Sequence, residues 1–369
     1  MRQYLVFITL LLLLPATRAF AEITTVPHVM VLEEYDSNIS YTAENELSDW
    51  ITRTQTGVDI IYEGKVDRAK LTADVYHRFY QKYSEFDNTS EDLFLDVTHE
   101  FTKYDSMRLT DHLTHSTEPT SLEAQFDRGT GRYAYSSNDL EITYYHDVTS
   151  QLRNILRFGN QLDYRSRSDL TDSTLYSLSE GVEYAFNSRD IGLAEIGYAM
   201  RDYSLGGDIQ SYYLTLGLRH YFSSQLSLQA VAGYGFLTNT QNSTSGNPTY
   251  SLTLTDEVTD QLRAILAYSW QNSTSASSSD AFKSERVSFG LIDQVNLRLR
   301  VDLNAFYGSG TYDTSKTKNT LSGASAGFAY ELFRATSLVA SISYTQQDSN
   351  VLTDEYTRTF ASVGIRREF

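Results

Sequence analysis

The chain has 369 residues, no cysteine, 28 tyrosines, 18 phenylalanines and only 4 prolines, and its formal net charge at pH 7 is −17. The acidic balance argues against nucleic acid as a partner, because nucleic-acid binding needs a basic face. The modest apolar fraction of 41% argues against a bundle of membrane helices. The aromatic content instead suits β-strands and the aromatic girdles of a membrane barrel.

The N-terminus has the pattern of an export signal. A basic residue precedes an apolar run over 4–15, and residues 19–21 fit a small-x-small cleavage site. The run is too short for a transmembrane helix, so it predicts a secretory signal peptide over 1–21 and a mature domain over 22–369. An exported chain without disulfides must be held in another way, and a closed network of backbone hydrogen bonds would do this.

After the signal peptide the chain consists of alternating apolar and polar segments without helical periodicity. This alternation predicts an all-β protein, a transmembrane antiparallel up-and-down β-barrel of about 18 strands in the outer membrane of a Gram-negative bacterium. The predicted strands are 28–38, 49–63, 68–82, 91–103, 107–115, 131–146, 150–165, 172–187, 190–203, 209–222, 225–239, 248–257, 261–272, 281–292, 296–309, 319–332, 336–348 and 354–369. A soluble β-sandwich is the structural alternative, since it also alternates.

The connections between these segments are of two kinds. Short turns recur in similar form, and 147–156 closely resembles 257–266. The other connections are polar and usually longer, which is the arrangement of barrels with short periplasmic turns and longer extracellular loops. The longest loop, 116–130, could fold inward as a constriction or remain a surface loop.

Alternation along each strand also assigns faces, because successive side chains point to opposite sides. In 296–309, Leu297, Leu299 and Val301 are expected to face lipid. The residues expected to face the lumen are Arg78, Arg153, Arg157, Arg165, Arg263, Arg286, Arg298, Arg300, Asp302, Arg358 and Arg366. Two readings stay open: the arginines pair with acids on neighbouring strands, or they form an electropositive path for an anionic solute or polymer.

A search for catalytic or metal-binding patterns finds little. His112 and His115 are the only close histidine pair, and three residues apart in a strand they point to opposite faces and cannot easily share a metal. There is no nucleophile elbow, and no glycine-rich stretch precedes a helix. We therefore expect no catalytic residue, no metal site and no cofactor, and the chain is not expected to be an enzyme.

The last sixteen residues end on an aromatic side chain. Counting back in twos from Phe369 gives an apolar face through Ile365 and Val363, interrupted by Arg367. This segment resembles the closing strand of outer-membrane barrels. That resemblance implies that Phe369 is an assembly signal read by the barrel-assembly machinery.

Three further stretches carry a resemblance to one family. They are 34–39, 49–57 and 126–135, with the sequences EYDSNI, DWITRTQTG and FDRGTGRYAY. Together with the hairpin pattern they resemble the "putative β-barrel porin 2" family, whose members are often found with exopolysaccharide export genes. The resemblance implies passive passage of an exopolysaccharide, an anionic one included, across the outer membrane, with periplasmic export components as further partners.

Two other functions remain open from the sequence. One is a general or nutrient diffusion porin, and the other is a barrel enzyme that acts on lipid or an envelope polymer. In each case the expected protein is a monomer surrounded by outer-membrane lipid.

Overall fold

The computed structural model describes residues 22–118, 131–239, 244–276 and 278–369. This part of the chain folds into eighteen strands and two short 3₁₀ turns. The strands are β1 Glu22–Asp36, β2 Asp49–Glu63, β3 Asp67–Tyr80, β4 Asn88–Glu100, β5 Asp105–Ser116, β6 Tyr135–Asp147, β7 Leu152–Arg165, β8 Ser173–Ala185, β9 Asp190–Tyr203, β10 Ile209–Tyr221, β11 Leu226–Asn239, β12 Thr244–Asp256, β13 Leu262–Thr274, β14 Ala281–Asn296, β15 Leu299–Tyr312, β16 Lys318–Phe333, β17 Thr336–Ser349 and β18 Tyr356–Glu368, and the 3₁₀ turns are Ser84–Phe86 and Leu352–Asp354. The segment 1–21, predicted as a signal peptide, lies outside the described residues.

The strands form one closed antiparallel sheet. Each strand pairs with its neighbours in sequence, and β1 also pairs with β18, from His28 opposite Glu368 to Asp36 opposite Phe360. Closure leaves the sheet without a free edge strand, which a membrane-spanning sheet requires. The expected all-β barrel of about 18 strands is therefore confirmed. No helix in the described residues is long and apolar enough to cross a membrane.

The recurring short turns share one local structure. In the turn after β6, Thr149 Oγ1 accepts hydrogen bonds from the backbone N–H groups of Gln151 and Leu152, at 3.2 and 3.0 Å. Thr259 does the same in the turn after β12, at 3.2 and 2.9 Å. The side chains in the same role elsewhere are Thr102, Asn187, Ser223 and Asn296. A Ser, Thr or Asn side chain that accepts from residues two and three further on stabilises a tight turn, which explains the similarity of 147–156 and 257–266.

The opposite end of the barrel carries the longer connections. The turn between β14 and β15 is only Leu297–Arg298, whereas the connection between β1 and β2 runs from Ser37 to Ser48. This asymmetry agrees with short periplasmic turns and longer extracellular loops. Most of the predicted 116–130 loop lies outside the described residues, so its predicted inward fold stays untested.

The turn before β15 corrects one predicted strand. Residues 296–309 were expected to form a strand, but Asn296 Oδ1 accepts from the N–H groups of Arg298 and Leu299, and the strand begins only at Leu299. Leu297, expected to face lipid, is 95% exposed at the tip of this turn. Arg298, expected on the lumen wall, is exposed in the same turn. Alternation could not show this, because an Asn that favours a turn can also be read as a polar strand residue.

The chain end closes the barrel next to β1. The backbone N–H of Phe369 donates to the carbonyl of Pro27 at 2.9 Å, and the Arg367 guanidinium lies 5.3 Å from the centre of the Phe369 ring. The terminal ring is 66% exposed, on the same face as Ile365 and Val363. These contacts place the terminal aromatic at the lipid-facing side of the closing seam.

Deleting Phe369 is expected to reduce the yield of assembled barrel severalfold. The deletion removes both the last backbone bond to β1 and the exposed terminal ring. The yield of the folded, heat-modifiable form on gels after refolding and after expression measures the effect. Leu352→Ala is the control, since Leu352 is 77% exposed in a connection at the other end of the barrel. Equal yields of the two variants would show that the terminal ring has no special role.

Candidate functional site: the lumen and its mouth

The two faces of the barrel wall differ in chemistry. Large apolar side chains such as Leu216, Ile342 and Tyr307 are 62, 55 and 60% exposed, and they alternate with small or polar residues. Such exposed apolar rows on a closed sheet face lipid, and the alternate positions face the lumen. Because residues paired across two strands face the same side, the eighteen strand pairings extend this assignment around the barrel.

The inner face of β1–β10, here called the charged arc, contains ion pairs between strands. Arg157 Nη1 lies 2.8 Å from Glu195 Oε2, which it reaches across the glycine at 181 on the intervening strand. Arg219 pairs with Glu183 at 3.3 Å. Further pairs are Arg53–Glu34, Arg78–Glu34, Lys70–Asp59, Arg108–Asp96, Arg153–Asp147 and Arg201–Asp163. The arginines predicted at 78, 153 and 157 therefore lie on the inner face, each beside a carboxylate.

Arg358 is also on the inner face but does not face open lumen. It is 2% exposed, and its Nη2 lies 2.8 Å from Asp36 Oδ2 on the first strand. Tyr41 and Phe360 cover it, with ring centres 5.0 and 4.7 Å from the guanidinium carbon. The prediction that Arg358 lines the lumen is corrected, because the β1–β2 connection folds over it. Alternation gives the face of a side chain but not what covers that face.

The inner face of β11–β17, here called the hydroxyl arc, is different. Its Ser and Thr residues are Ser227, Ser245, Thr249, Ser251, Thr253, Thr255, Ser269, Ser273, Ser284, Ser288, Ser325, Ser337, Ser341, Ser343 and Thr345. Glycines lie between them, and Gly323 and Gly327 leave space in which Phe306 and Asp302 lie against the wall. Hydroxyl groups can donate and accept, so this arc offers exchangeable hydrogen bonds to a passing solute.

The remaining predicted charges lie on or next to this arc. Arg286 lies over the ring of Phe306, 4.3 Å from its centre. Within the described part of the chain, Arg263 and Arg300 make no ion pair and are exposed. Asp302 lies on the same face as Arg300, two residues further along β15. Arg366, on β18 beside the arc, pairs with Glu368 of its own strand at 3.2 Å.

The extracellular mouth is narrowed by the connection between β13 and β14. Tyr203 Oη donates to the carbonyl of Ser275 at 2.7 Å, and Ser173 Oγ donates to the carbonyl of Ala276 at 3.1 Å. The guanidinium of Arg165 donates to the same Ala276 carbonyl. Strands β7–β9 hold these donors, and β10–β12 separate them from β13, so the connection reaches across the inside of the barrel.

A second group of contacts lies at the mouth near β1–β3. The guanidinium of Arg132 pairs with the carboxylate of Glu118, which also accepts from Tyr80 Oη at 2.8 Å, and Arg132 donates to the carbonyl of Ile39 at 3.2 Å. Burial alone would raise the pKa of Glu118, but the charges of Arg132 and Arg78 outweigh burial and hold that pKa below its usual range. The ion pair lies within the β5–β6 connection, and Arg132 links this connection to the β1–β2 connection through Ile39.

Sequence reasoning did not single out the residues that hold the mouth, apart from an inward Arg165. Arg201, Arg132 and Glu118 lie near strand ends or in connections, where alternation carries no information. Arg201 donates to Thr274 Oγ1 at 3.0 Å, a partner on a distant strand. The sequence does show charged residues clustered at strand ends. It does not show which residues they contact. Within the described residues no group of three His, Asp or Glu could hold a metal.

Comparison with known proteins fits this geometry. Residues 255–369 match the family model described as "Putative beta-barrel porin 2". The expected resemblance to that family is confirmed. The protein is a porin-like barrel of the Gram-negative outer membrane. No curated protein sequence matches the chain.

Solved porin structures share the fold of this porin-like barrel. Pseudomonas aeruginosa OccK2 (OpdF) aligns with a TM-score of 0.50 and 11% identity, covering 94% of this chain and 98% of that chain. Its complex with glucuronate aligns with the same values. Pseudomonas aeruginosa OpdK with vanillate also has a TM-score of 0.50 and 11% identity, covering 94% and 99%. At this identity the likeness concerns the fold.

Reversing the charge of Arg300 is expected to shift ion selectivity toward cations. Arg300 is exposed on the inner face and makes no ion pair in the described residues, so its charge acts on passing ions. Arg300→Glu should move the reversal potential in a salt gradient, and more strongly in dilute salt, where screening is weak. Arg298→Glu makes the same change of charge in the turn two residues away and should shift it less. Equal shifts would show that position on the inner face does not matter.

Proposed function

We propose that this porin-like channel lets small polar solutes diffuse across the outer membrane, with no chemistry at the protein. The observation that carries the proposal is the β13–β14 connection, which Tyr203, Ser173 and Arg165 hold across the mouth. A mouth narrowed by an anchored connection favours small solutes over a polymer chain. The paired carboxylates of the charged arc also argue against a strongly electropositive path.

Passage of an exopolysaccharide is the second candidate, and a different observation favours it. The hydroxyl arc presents Ser and Thr side chains on six of its seven neighbouring strands, with few charges among them. Such a wall can exchange hydrogen bonds with a sugar polymer that slides past. The family resemblance points in the same direction. Periplasmic export components would then be partners, whereas both candidates share the barrel-assembly machinery as a partner.

Swelling of liposomes that contain the purified protein separates the two candidates. The solutes are glucose, maltose, maltotriose and longer maltodextrins, with glucuronate as a charged solute of the size of glucose. We expect rapid swelling with glucose, a steep decline with length, and no large preference for glucuronate. The protein-free liposome and the Arg300→Glu channel are the controls for leakage and for charge.

Two results would change the proposal. Permeation that stays nearly constant from maltose to long maltodextrins would favour polymer passage and contradict the small-solute channel. No permeation of any solute by a correctly folded barrel would contradict both candidates.

A further inference from the structure

The barrel wall is incomplete between β12 and β13. These strands pair only from Tyr250 opposite Trp270 to Asp256 opposite Ala264. Beyond Tyr250, the stretch 244–249 of β12 still pairs with β11, and 271–274 of β13 still pairs with β14. At about 3.4 Å per residue, roughly 13 Å of the two strand edges therefore face each other without a ladder.

Two features explain why the ladder ends there. Proline has no backbone N–H and is found where a strand ladder ends, and Pro248 occupies this stretch of β12. On the other side, the tip of the β13–β14 hairpin is drawn toward β9, where Arg201 donates to Thr274 Oγ1 and Tyr203 donates to the Ser275 carbonyl. The two strands are thus held apart by contacts elsewhere in the mouth.

Polar side-chain atoms at this separation lack partners. Both amide atoms of Asn272, the amide nitrogen of Asn247, and the hydroxyls of Thr249 and Ser273 are buried and make no hydrogen bond within the structure. Asn272 belongs to the outer face, because it lies two residues from Trp270 on β13 and side chains two apart in a strand share a face. A buried polar group without a partner is costly, and most costly toward lipid. Five such atoms on the facing stretches of β12 and β13 make this separation a candidate binding site for a polar group.

A cavity of about 250 Å³ lies beside this separation, and of the four residues with unpartnered atoms Thr249 and Asn272 line it. Its lining combines outer-face aromatic residues, namely Tyr212, Phe236, Tyr250 and Trp270, with inner-face polar residues that include Ser251 and Gln271. Tyr212, Phe236 and Tyr250 are each 47% exposed toward lipid. Among the described residues that line the cavity, none carries a charge. The lining therefore brings aromatic residues of the outer face and uncharged polar residues of the inner face together at one place.

We propose that this separation is a lateral binding site for an uncharged amphiphile, with its tail against the outer aromatic residues and its hydroxylated head at the unpartnered amides and hydroxyls. Hydroxyl groups both donate and accept, so they match amide and hydroxyl partners of both kinds. A charged head would find no counter-charge in the lining and would lose hydration. The site connects the lumen with the outer-leaflet side of the membrane.

Fluorescence offers a direct test, because the chain has only two tryptophans. Trp50→Phe leaves Trp270 as the single reporter at the site. The purified full-length variant in phosphatidylcholine vesicles is titrated with dodecyl maltoside carrying bromine on the chain, which quenches nearby tryptophan. The matched arms are dodecyl phosphocholine brominated at the same carbon and free maltose as a competitor.

We expect saturable quenching by the maltoside, weaker quenching by the phosphocholine, and little competition by free maltose. Asn272→Leu combined with Thr249→Val should weaken binding of the maltoside by about tenfold, since each lost hydrogen bond contributes a modest amount. Thr249→Val alone keeps the side-chain shape and should also weaken binding of the maltoside, which provides a test if the double variant fails to fold. Asn304→Leu, an inner-face amide on β15 outside the cavity, should leave the quenching unchanged.

Equal quenching by both head groups that no variant alters would mean that Trp270 only meets bulk lipid, and would overturn the proposal. Competition by free maltose as strong as by unbrominated dodecyl maltoside would also overturn it. That result would assign the polar atoms to a soluble saccharide in the lumen.

Discussion

Replacing Arg358 with methionine is expected to lower the free energy of unfolding by about 3–5 kcal/mol, the usual cost of removing one partner of a buried ion pair. Arg358 donates to both carboxylate oxygens of Asp36, from Nε at 3.0 Å to each and from Nη2 at 2.8 Å. The pair joins the last strand to the first. Without the guanidinium, the carboxylate stays buried at the closing seam without its counter-charge.

Urea unfolding of the barrel in detergent, followed by loss of the heat-modifiable gel band, measures this effect. Arg153→Met is the matched control, because the Arg153 and Asp147 side chains are 47 and 33% exposed. An exposed pair of this kind contributes at most about 1 kcal/mol. Asp36→Leu combined with Arg358→Met should recover part of the loss, since it removes both charges together. Similar losses from Arg358→Met and Arg153→Met would contradict the buried-pair account of closure.

Freeing the β13–β14 connection is expected to open the mouth. Tyr203→Phe with Ser173→Ala removes the hydroxyl hydrogen bonds to the carbonyls of Ser275 and Ala276, leaves the bond from Arg165 to Ala276, and takes from Arg201 its acceptor on Ser173. At about 1 kcal/mol for each bond, the displaced state should become roughly thirtyfold more populated. Single-channel records should then show larger or noisier steps, and maltotriose should enter liposomes faster.

Tyr213→Phe with Ser211→Ala is the control for the mouth. These residues are of the same types on the inner face of β10, but their hydroxyls donate to Glu195 and to the Ala199 carbonyl rather than to the connection. Their replacement should leave conductance steps unchanged in size. If the mouth variant gives the same record as this control, the connection does not limit passage.

The strand count and the two faces were predictable from sequence because side chains in a strand alternate with a period of two. Thus Leu216 and Ile342 face lipid as their pattern indicates. The same rule failed at Leu297 and Arg298, where Asn296 forms a turn that alternation does not reveal. It also placed Arg358 on the inner face, but could not show that the β1–β2 connection covers it.

The mouth and the separation between β12 and β13 were beyond prediction for a different reason. They depend on contacts between residues far apart in sequence, such as Arg201 with Thr274 and Tyr203 with Ser275. Only the order of strands around the barrel brings these residues together. Likewise, Arg157 reaches Glu195 across an intervening strand, so the acid that neutralises it is not on the adjacent strand. A local pattern gives the face of each side chain but not its partner.

Single-channel conductance in planar bilayers shows whether the protein is a channel whose mouth admits small solutes. The measurement uses purified wild-type protein, with and without polyethylene glycols of increasing size in the salt solution. We expect stable conductance steps that small glycols reduce and large glycols leave unchanged. Absence of steps from folded protein, or steps reduced by large glycols as strongly as by small ones, would contradict it.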